Sequence, residues 1–393
     1  MNFEASRRIT ELTAYAFAEV DRKVDELRGR GIDPIDFGVG DPTVPTPEVA
    51  REALKRAADT RARAGYPSYV GAPEFRAAAA SWMTRRFGID VDPDTEIASS
   101  AGSKECVFHA PLAFVNPGDE VLVPSPGYPP YARGTEFAGG SAVAYPLSPE
   151  AGYLPDPEFL TDERLRRAKM LWINYPNSPS GAVASLDVLT ALADRCRAND
   201  CLLVSDEAYA DIWFTDEPPP SALQAGLEGV LSVFSLSKRS AMTCYRVGWI
   251  AGDERALTAY KKLKTNVDSG TPTFVQDAAI AALGDETHVE EFREEYRRKR
   301  DLLCAALTDA GLPDCTPESA LYIWQRLPAG MSSVEFATRL LDPEIAVVTT
   351  PGAWLGDEIE GYGNPGEGHV RFALVPSIED CEIAAEKIRR LVL

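Results

Sequence analysis

Val230-Leu231-Ser232-Val233-Phe234-Ser235-Leu236-Ser237-Lys238 reads as a buried strand that runs out onto an amine. Residues Val230–Ser235 lack the polar alternation of a half-exposed strand, as expected where both faces are covered. A charged lysine is costly to bury at such a strand end. Desolvation lowers its pKa and leaves a nucleophile able to form a Schiff base. Taken alone, Val233–Lys238 fits a surface lysine at a strand end equally well.

Outward from this strand, short apolar runs alternate with helical patterns from about Thr46 to Leu263. The strands are expected at Glu96–Ala101, Glu120–Val123, Ser141–Tyr145, Met170–Asn174, Cys201–Ser205, Val230–Ser235 and Val247–Ala251. Helices are expected at Pro73–Arg86, Glu105–Phe114, Pro129–Phe137, Leu186–Asn199 and Glu254–Lys264. The alternation predicts an α/β fold, a mixed and mostly parallel sheet sandwiched by helices. The pattern then changes to a long charged helix at His288–Ala310, strands near Leu321–Arg326, Ala346–Thr349 and His369–Leu374, and a last helix Ile378–Leu393, which suggests a smaller α+β domain. An amphipathic helix at Glu11–Arg28 could pack there too. The expected division is an N-terminal arm over 1–45, a large domain over 46–270 and a small domain over 271–393.

Three more segments give Lys238 its context. Ser205-Asp206-Glu207-Ala208-Tyr209 follows another apolar run. A carboxylate there can keep a pyridine nitrogen protonated and make the ring an electron sink, or it can cap the next helix. Tyr175-Pro176-Asn177-Ser178-Pro179-Ser180-Gly181 is a strand-end loop holding an amide between prolines, and alone is only a turn. Arg246, just before Val247–Ala251, can offer a fork of donors to a phosphate. The four segments fall at the ends of consecutive strands, where doubly wound sheets place ligands.

Composition excludes other classes. The 393 residues carry a net charge of −20, with no basic footprint for nucleic acid; Arg297–Arg300 lies among Glu290, Glu291, Glu294 and Glu295 and reads as a solvated helix face. The odd cysteine count of 7, without a CxxC, predicts free thiols in a reducing cytoplasm and neither a disulfide framework nor a zinc cluster. The 3 histidines cannot build a His-rich metal site, and no metal is expected. No apolar run is long enough to span a membrane, and Met1–Thr10 shows no signal-peptide core. A cytoplasmic protein is expected.

With these segments in view, the sequence resembles the fold-type I, class I/II aminotransferases that use pyridoxal 5′-phosphate. The likeness runs from Gly38-Val39-Gly40-Asp41-Pro42 to Arg371, and the block Ser235-Leu236-Ser237-Lys238 with Arg246-Val247-Gly248-Trp249 carries most of it. The resemblance implies that Lys238 holds the cofactor and then shuttles the proton between substrate and coenzyme. It places Asp206 on the ring nitrogen, Tyr209 and Asn177 on the phenolic oxygen, and Tyr128 stacked on the ring. It puts Gly102, Ser103, Ser235, Ser237 and Arg246 at the phosphate, with Lys104 beside them in the first helical turn. Tyr69 would reach the phosphate of a partner subunit in a homodimer with shared sites. Arg371 would grip the substrate α-carboxylate, close to the backbone of Gly40. The expected partners are amino acids and 2-oxo acids exchanged by a ping-pong mechanism.

Gly102-Ser103-Lys104-Glu105, Pro126-Gly127-Tyr128-Pro129 and Lys264-Thr265-Asn266-Val267-Asp268-Ser269-Gly270 look like LL-diaminopimelate aminotransferases, which use glutamate and 2-oxoglutarate as the other pair. Lys104 suits a distal carboxylate as well as it suits the phosphate. Two stretches depart from that family. One is Lys238-Arg239-Ser240-Ala241-Met242-Thr243-Cys244-Tyr245-Arg246, where relatives carry Thr-Tyr-Asn after the lysine and Gly-Trp before the arginine, and the other is Pro351-Gly352-Ala353-Trp354-Leu355-Gly356. Both are expected to border the substrate cavity. The alternative is a broad-range or specialised aminotransferase, and after it a lyase or decarboxylase on the same fold. A sensor module with an N-terminal DNA-binding motif has no room before residue 40.

Overall fold

The computed structural model of the protein describes residues 3–10 and 18–391. A short strand β1 (Ile35–Asp36) precedes the seven strands of the main sheet. These are β2 (Ile97–Ser100), β3 (Glu120–Ser125), β4 (Ser141–Pro146), β5 (Ala168–Asn174), β6 (Leu202–Asp206), β7 (Val230–Ser235) and β8 (Gly248–Gly252). Their order is β2-β8-β7-β6-β5-β3-β4. Strands β3 to β7 are mutually parallel, while β8 runs antiparallel to β7 and β2. Each strand lies within two residues of where the apolar runs put it.

The unbroken apolar runs have a direct cause. Leu171 and Ile173 of β5 and Phe234 of β7 point into one core, and Met170, Trp172, Leu231 and Val233 of the same strands point into another. Alternate side chains leave opposite faces of a strand, and here helices cover both. The helix Pro73–Phe87 closes one face; it opens on a proline and ends on Gly88 at φ 68°, the usual asymmetry of helix ends. Its Trp82 meets Trp249 and Phe234 edge-on, with ring centroids 5.3 and 5.7 Å away.

A smaller sheet follows. Strands β9 (Tyr322–Arg326), β11 (Thr350–Pro351) and β12 (His369–Ala373) form an antiparallel set in the order β11-β12-β9, and β10 (Val347–Val348) pairs in parallel with β1. The single strand expected at Ala346–Thr349 is therefore two short ones that serve different sheets. Helices Thr287–Asp309 and Ile378–Ile388 pack on this unit through Leu303, Leu307, Ala384 and Ile388. The N-terminal helix is seen as Ala18–Gly29, with Val20 and Leu27 against Leu341 and Val348. The part of the expected helix at residues 11–17 lies outside the described residues. Helix Thr273–Leu283, which the pattern reading passed over, adds Val275, Ala278 and Ala282 to the core of the large sheet. Among the described residues no helix is long and apolar enough to cross a membrane.

Candidate active site

The C-terminal ends of β5, β6 and β7 open on one cavity of about 500 Å³. Of the residues singled out in the sequence, Gly40, Ser103, Lys104, Tyr128, Asp206, Tyr209, Ser235, Ser237, Lys238, Arg246 and Arg371 line it. Side chains far apart in the chain thus meet in one place, as an α/β sheet arranges at its strand ends.

Lys238 rides on a four-residue helix, Leu236–Arg239, started by Ser235, whose hydroxyl accepts from Ser237 N at 3.1 Å. Its Nζ donates to the carbonyl of Gly40. Burial lowers the lysine pKa, opposed by Tyr322 and Asp41 and assisted by Arg371 and Arg246, so the amine gives up its proton more readily than an ordinary lysine. Asp206 ends β6 in a buried position at the cavity wall. It accepts from Tyr131 Oη at 2.9 Å and from Ala208 N at 3.1 Å. Burial pushes its pKa up to about 6 despite those two bonds. A cationic N–H brought against this carboxylate would restore its charge.

The opposite end of the cavity is built from backbone. Gly102 sits at φ 77° before the helix Ser103–Phe114, and a Cβ there would lie 2.5 Å from Arg246 Nη2. Arg246, itself at φ 53°, donates to Thr243 O at 2.8 Å and Ala101 O at 3.2 Å. Glu105 braces the turn by accepting from Ala101 N at 2.7 Å and from Lys264 Nζ at 2.7 Å, and Lys264 also holds Asp268 at 2.9 Å. Burial works to raise the Glu105 pKa, but His109 and Lys264 hold it at about 2. A helix start with free N–H groups beside an arginine fork fits a phosphate.

The third wall belongs to the smaller sheet. Arg371 on β12 donates through Nη2 to Gly38 O at 2.9 Å and to Thr350 Oγ1 at 3.3 Å. Its guanidinium lies 4.5 Å over the Tyr322 ring, and its buried Nε has no partner. An unpartnered buried donor carries a desolvation cost that an arriving carboxylate would remove. A Cβ on Gly40 would lie 2.2 Å from Tyr322 Oη, so only glycine lets the backbone pass there. Tyr322 and Tyr209 share a hydrogen bond of 2.9 Å. Burial raises the Tyr322 pKa, but the Arg371 and Lys238 charges, with bonds from Tyr209 and Ser178, outweigh it and bring the net value below that of an ordinary tyrosine.

Some expectations need correction. Asn177 does not line the cavity; its side chain turns into its own loop, donating to Asn174 O at 3.2 Å and accepting from Ser180 Oγ at 2.7 Å. Asn174 and Ser178 line the cavity instead. Asn174 donates to Asp206 O at 2.8 Å and accepts from Ser178 N at 2.8 Å, which ties two strand ends together. Gly102 underlies the cavity, and Tyr69 stands outside it, 43% exposed. Of the two departing stretches, Lys238–Arg246 borders the cavity as expected, through Lys238, Thr243 and Arg246, with Arg239, Ser240 and Ala241 buried away from it; Pro351–Gly356 does not line it and docks on the neighbouring loop, where Leu355 O accepts from Gly127 N at 2.8 Å. The reading missed Asn174, Tyr131 and Tyr322. Asn174 was open to the same strand-end argument as Asp206. Tyr131 lies one helical turn past Tyr128, while Tyr322 had no local signal.

Pyridoxal phosphate fits this arrangement. The cavity offers an amine of lowered basicity, a buried acid for a ring nitrogen, a glycine cradle with Arg246 for the phosphate, and an arginine with an orphaned donor for a carboxylate.

Comparison with known proteins agrees. Residues 32–388 match the family described as aminotransferase class I and II. The LL-diaminopimelate aminotransferase of Aquifex aeolicus is 43% identical over 100% of both chains, and LL-diaminopimelate aminotransferase 2 of Nostoc sp. is 42% identical over 98% of this chain and 97% of its own. Among solved structures, Thermus thermophilus aspartate aminotransferase with maleate is 34% identical, with a TM-score of 0.88 over 99% of this chain and 100% of that one. Substrate-bound BacF from Bacillus subtilis is 31% identical, with a TM-score of 0.90 over 99% and 98%. The chain therefore belongs to the class I and II aminotransferases, and it is a pyridoxal-phosphate-dependent transaminase.

Proposed function

We propose that this transaminase exchanges the amino group of LL-diaminopimelate with 2-oxoglutarate, and that Lys238 is its cofactor-bearing base. The observation that carries the substrate reading is the pair of cations, Arg371 and Lys104, in one cavity with Lys238 and Asp206. Two positive groups on one cavity suit substrates with a carboxylate at each end. The full-length relatives from Aquifex and Nostoc, named for this substrate, support it.

When bound, pyridoxal phosphate supplies the carbonyl that takes up the amino group and a ring that accepts the electron pair left at the substrate Cα. The residues do the rest. Arg371 orients the substrate by its α-carboxylate and, with Gly40, aims the Cα–H at Lys238. Lys238 Nζ would take that proton and deliver it to the carbon on the far side of the substrate nitrogen, a task that its lowered pKa favours. Asp206 holds the proton on the ring nitrogen. Tyr209, paired with Tyr322, would donate to the phenolic oxygen, and Ser178 or Asn174 would take the place that Asn177 was expected to hold. Ser103, Ser235, Ser237 and Arg246 would anchor the phosphate, and Tyr128 would cover the ring. We place the protein in the cytoplasm as a homodimer, with Tyr69 completing the partner's phosphate site. We assign residues up to about 283 to the large unit, because helix Thr273–Leu283 shares its core.

The test is a half-reaction screen. The coenzyme-loaded enzyme is mixed with single amino acids while its visible absorbance is followed. LL-diaminopimelate and glutamate should bleach the band rapidly, and aromatic and aliphatic donors should not. Rapid bleaching by the whole panel would point to a broad-range transaminase. Lys238→Ala should lose both the band and turnover.

A further inference from the structure

Arg239 and Ser240, which depart from the family pattern, find their partners behind the cavity. Successive helical residues point about 100° apart, so Lys238 faces the cavity while Arg239 enters the core. Arg239 is 3% exposed and Asp211 4%. Arg239 Nε lies 2.7 Å from Asp211 Oδ2, an ion pair too oblique to count as a hydrogen bond. Arg86 meets the other oxygen of Asp211 at 3.2 Å. Arg239 Nη1 donates to Ala282 O at 2.9 Å, and Nη2 pairs with Glu286. Ser240 Oγ lies 2.9 Å from His288 Nε2.

These partners belong to two segments. Asp211 closes the stretch that begins with Asp206 and Tyr209. Ala282, Glu286 and His288 surround the junction between helix Thr273–Leu283 and helix Thr287–Asp309. The four-residue helix Leu236–Arg239 is too short to hold its own shape, so its geometry is set by what its side chains grip. Replacing a buried ion pair by apolar groups is often neutral for stability, so stability alone gives little reason for a charged clamp here.

We propose that Arg239 is a positioning residue for the Lys238 amine. Through Asp211 it fixes the spacing between the lysine-bearing turn and the Asp206–Tyr209 segment, and through Glu286, the residue just before Thr287, it ties that spacing to the start of the long helix. The proposal rests on the reading of Lys238 and Asp206 as cofactor residues.

The test uses the loaded enzyme with Arg239→Lys, Arg239→Met and Glu286→Gln. Four quantities are read: single-turnover rate with an amino donor, KM, the pH midpoint of the coenzyme's visible band, and Tm. Displacing a reacting group by about 1 Å can cost on the order of a hundredfold in rate. Arg239→Lys and Arg239→Met should therefore lose roughly tenfold or more in rate at little-changed KM, with a shifted band midpoint. Glu286, whose side chain is 48% exposed, is replaceable without emptying the core, and Glu286→Gln should show a smaller loss and shift of the same sign at unchanged Tm. Should the Arg239 variants fail to fold, Glu286→Gln decides. Wild-type rate and midpoint in whichever variants fold, whatever their Tm, would make the cluster merely structural and overturn the proposal. A visible band that survives Lys238→Ala would instead overturn the underlying assignment of the lysine.

Discussion

Replacing Asp206 by Asn should make the coenzyme-free protein more stable and the loaded protein less so. The carboxyl is buried, and burial lifts its pKa from the ordinary 3.8 to about 6. Its folded-state pKa is thus raised, so the stability it contributes is fully present below about pH 4 and lost as pH rises through about 6. A shift of roughly 2 units at about 1.4 kcal/mol each corresponds to about 3 kcal/mol at pH 8. An amide carries no charge to bury. Its oxygen can accept from Ala208 N and its nitrogen can donate to Tyr131, the two partners Asp206 already has. Urea unfolding of the coenzyme-free proteins should therefore show Asp206→Asn ahead by about 3 kcal/mol near pH 8 and level with wild type near pH 4. In the loaded enzyme a ring N–H restores the carboxylate's charge in the wild type alone, so the variant should bind coenzyme more weakly. A gain that does not change between the two pH values, or a loss near pH 8, would refute the reasoning.

Arg371→Ala should raise KM for the amino donor by roughly ten- to a hundredfold, since a charge-assisted bidentate contact contributes about 1.5–3 kcal/mol; an unchanged KM would remove Arg371 from the site. Gly102→Ala places a Cβ within 2.5 Å of Arg246 at a backbone angle of φ 77°, and should weaken coenzyme affinity in apoenzyme titrations while leaving KM nearly unaltered. Tyr131→Phe removes a bond that holds down the Asp206 pKa, so coenzyme affinity should fall off at a higher pH than in the wild type. Trp82→Ala empties a site walled by Phe87, Phe234 and Trp249 and should cost about 3–5 kcal/mol in denaturant unfolding.

The main sheet was legible because strands covered on both faces write unbroken apolar runs, as in Val230–Ser235. Helices that escaped notice have physical reasons for doing so. Glu48–Thr60 buries only alanines, Ala50, Ala53 and Ala57, so its buried face carries no large apolar side chain to mark it. Thr273–Leu283 is apolar nearly all round because it is held between the large core and its own neighbours, which blurs its periodicity. Lys238, Asp206 and Arg246 were readable because strand ends gather ligands. Asn177 was misplaced because Asn174 and Asn177 sit on one turn, and only the path of the loop decides which amide faces the cavity. Tyr322 meets Gly40 and Tyr209, residues remote in the chain, and no local pattern announces such a meeting.

Strand β1 carries a consequence for anyone recombining these enzymes. It pairs with β10 of the smaller unit, and the residues just after it give Gly38 O to Arg371 and Gly40 O to Lys238. Residues 35–40 are thus a ribbon near the chain start that is sewn into the C-terminal unit while touching the lysine of the large one. A chimera that exchanges the C-terminal unit at a single crossover after residue 283 would inherit a mismatched ribbon. Swaps that transplant 35–40 together with that unit should keep both seats in register, so functional hybrids of this fold are better built with two crossovers than with one.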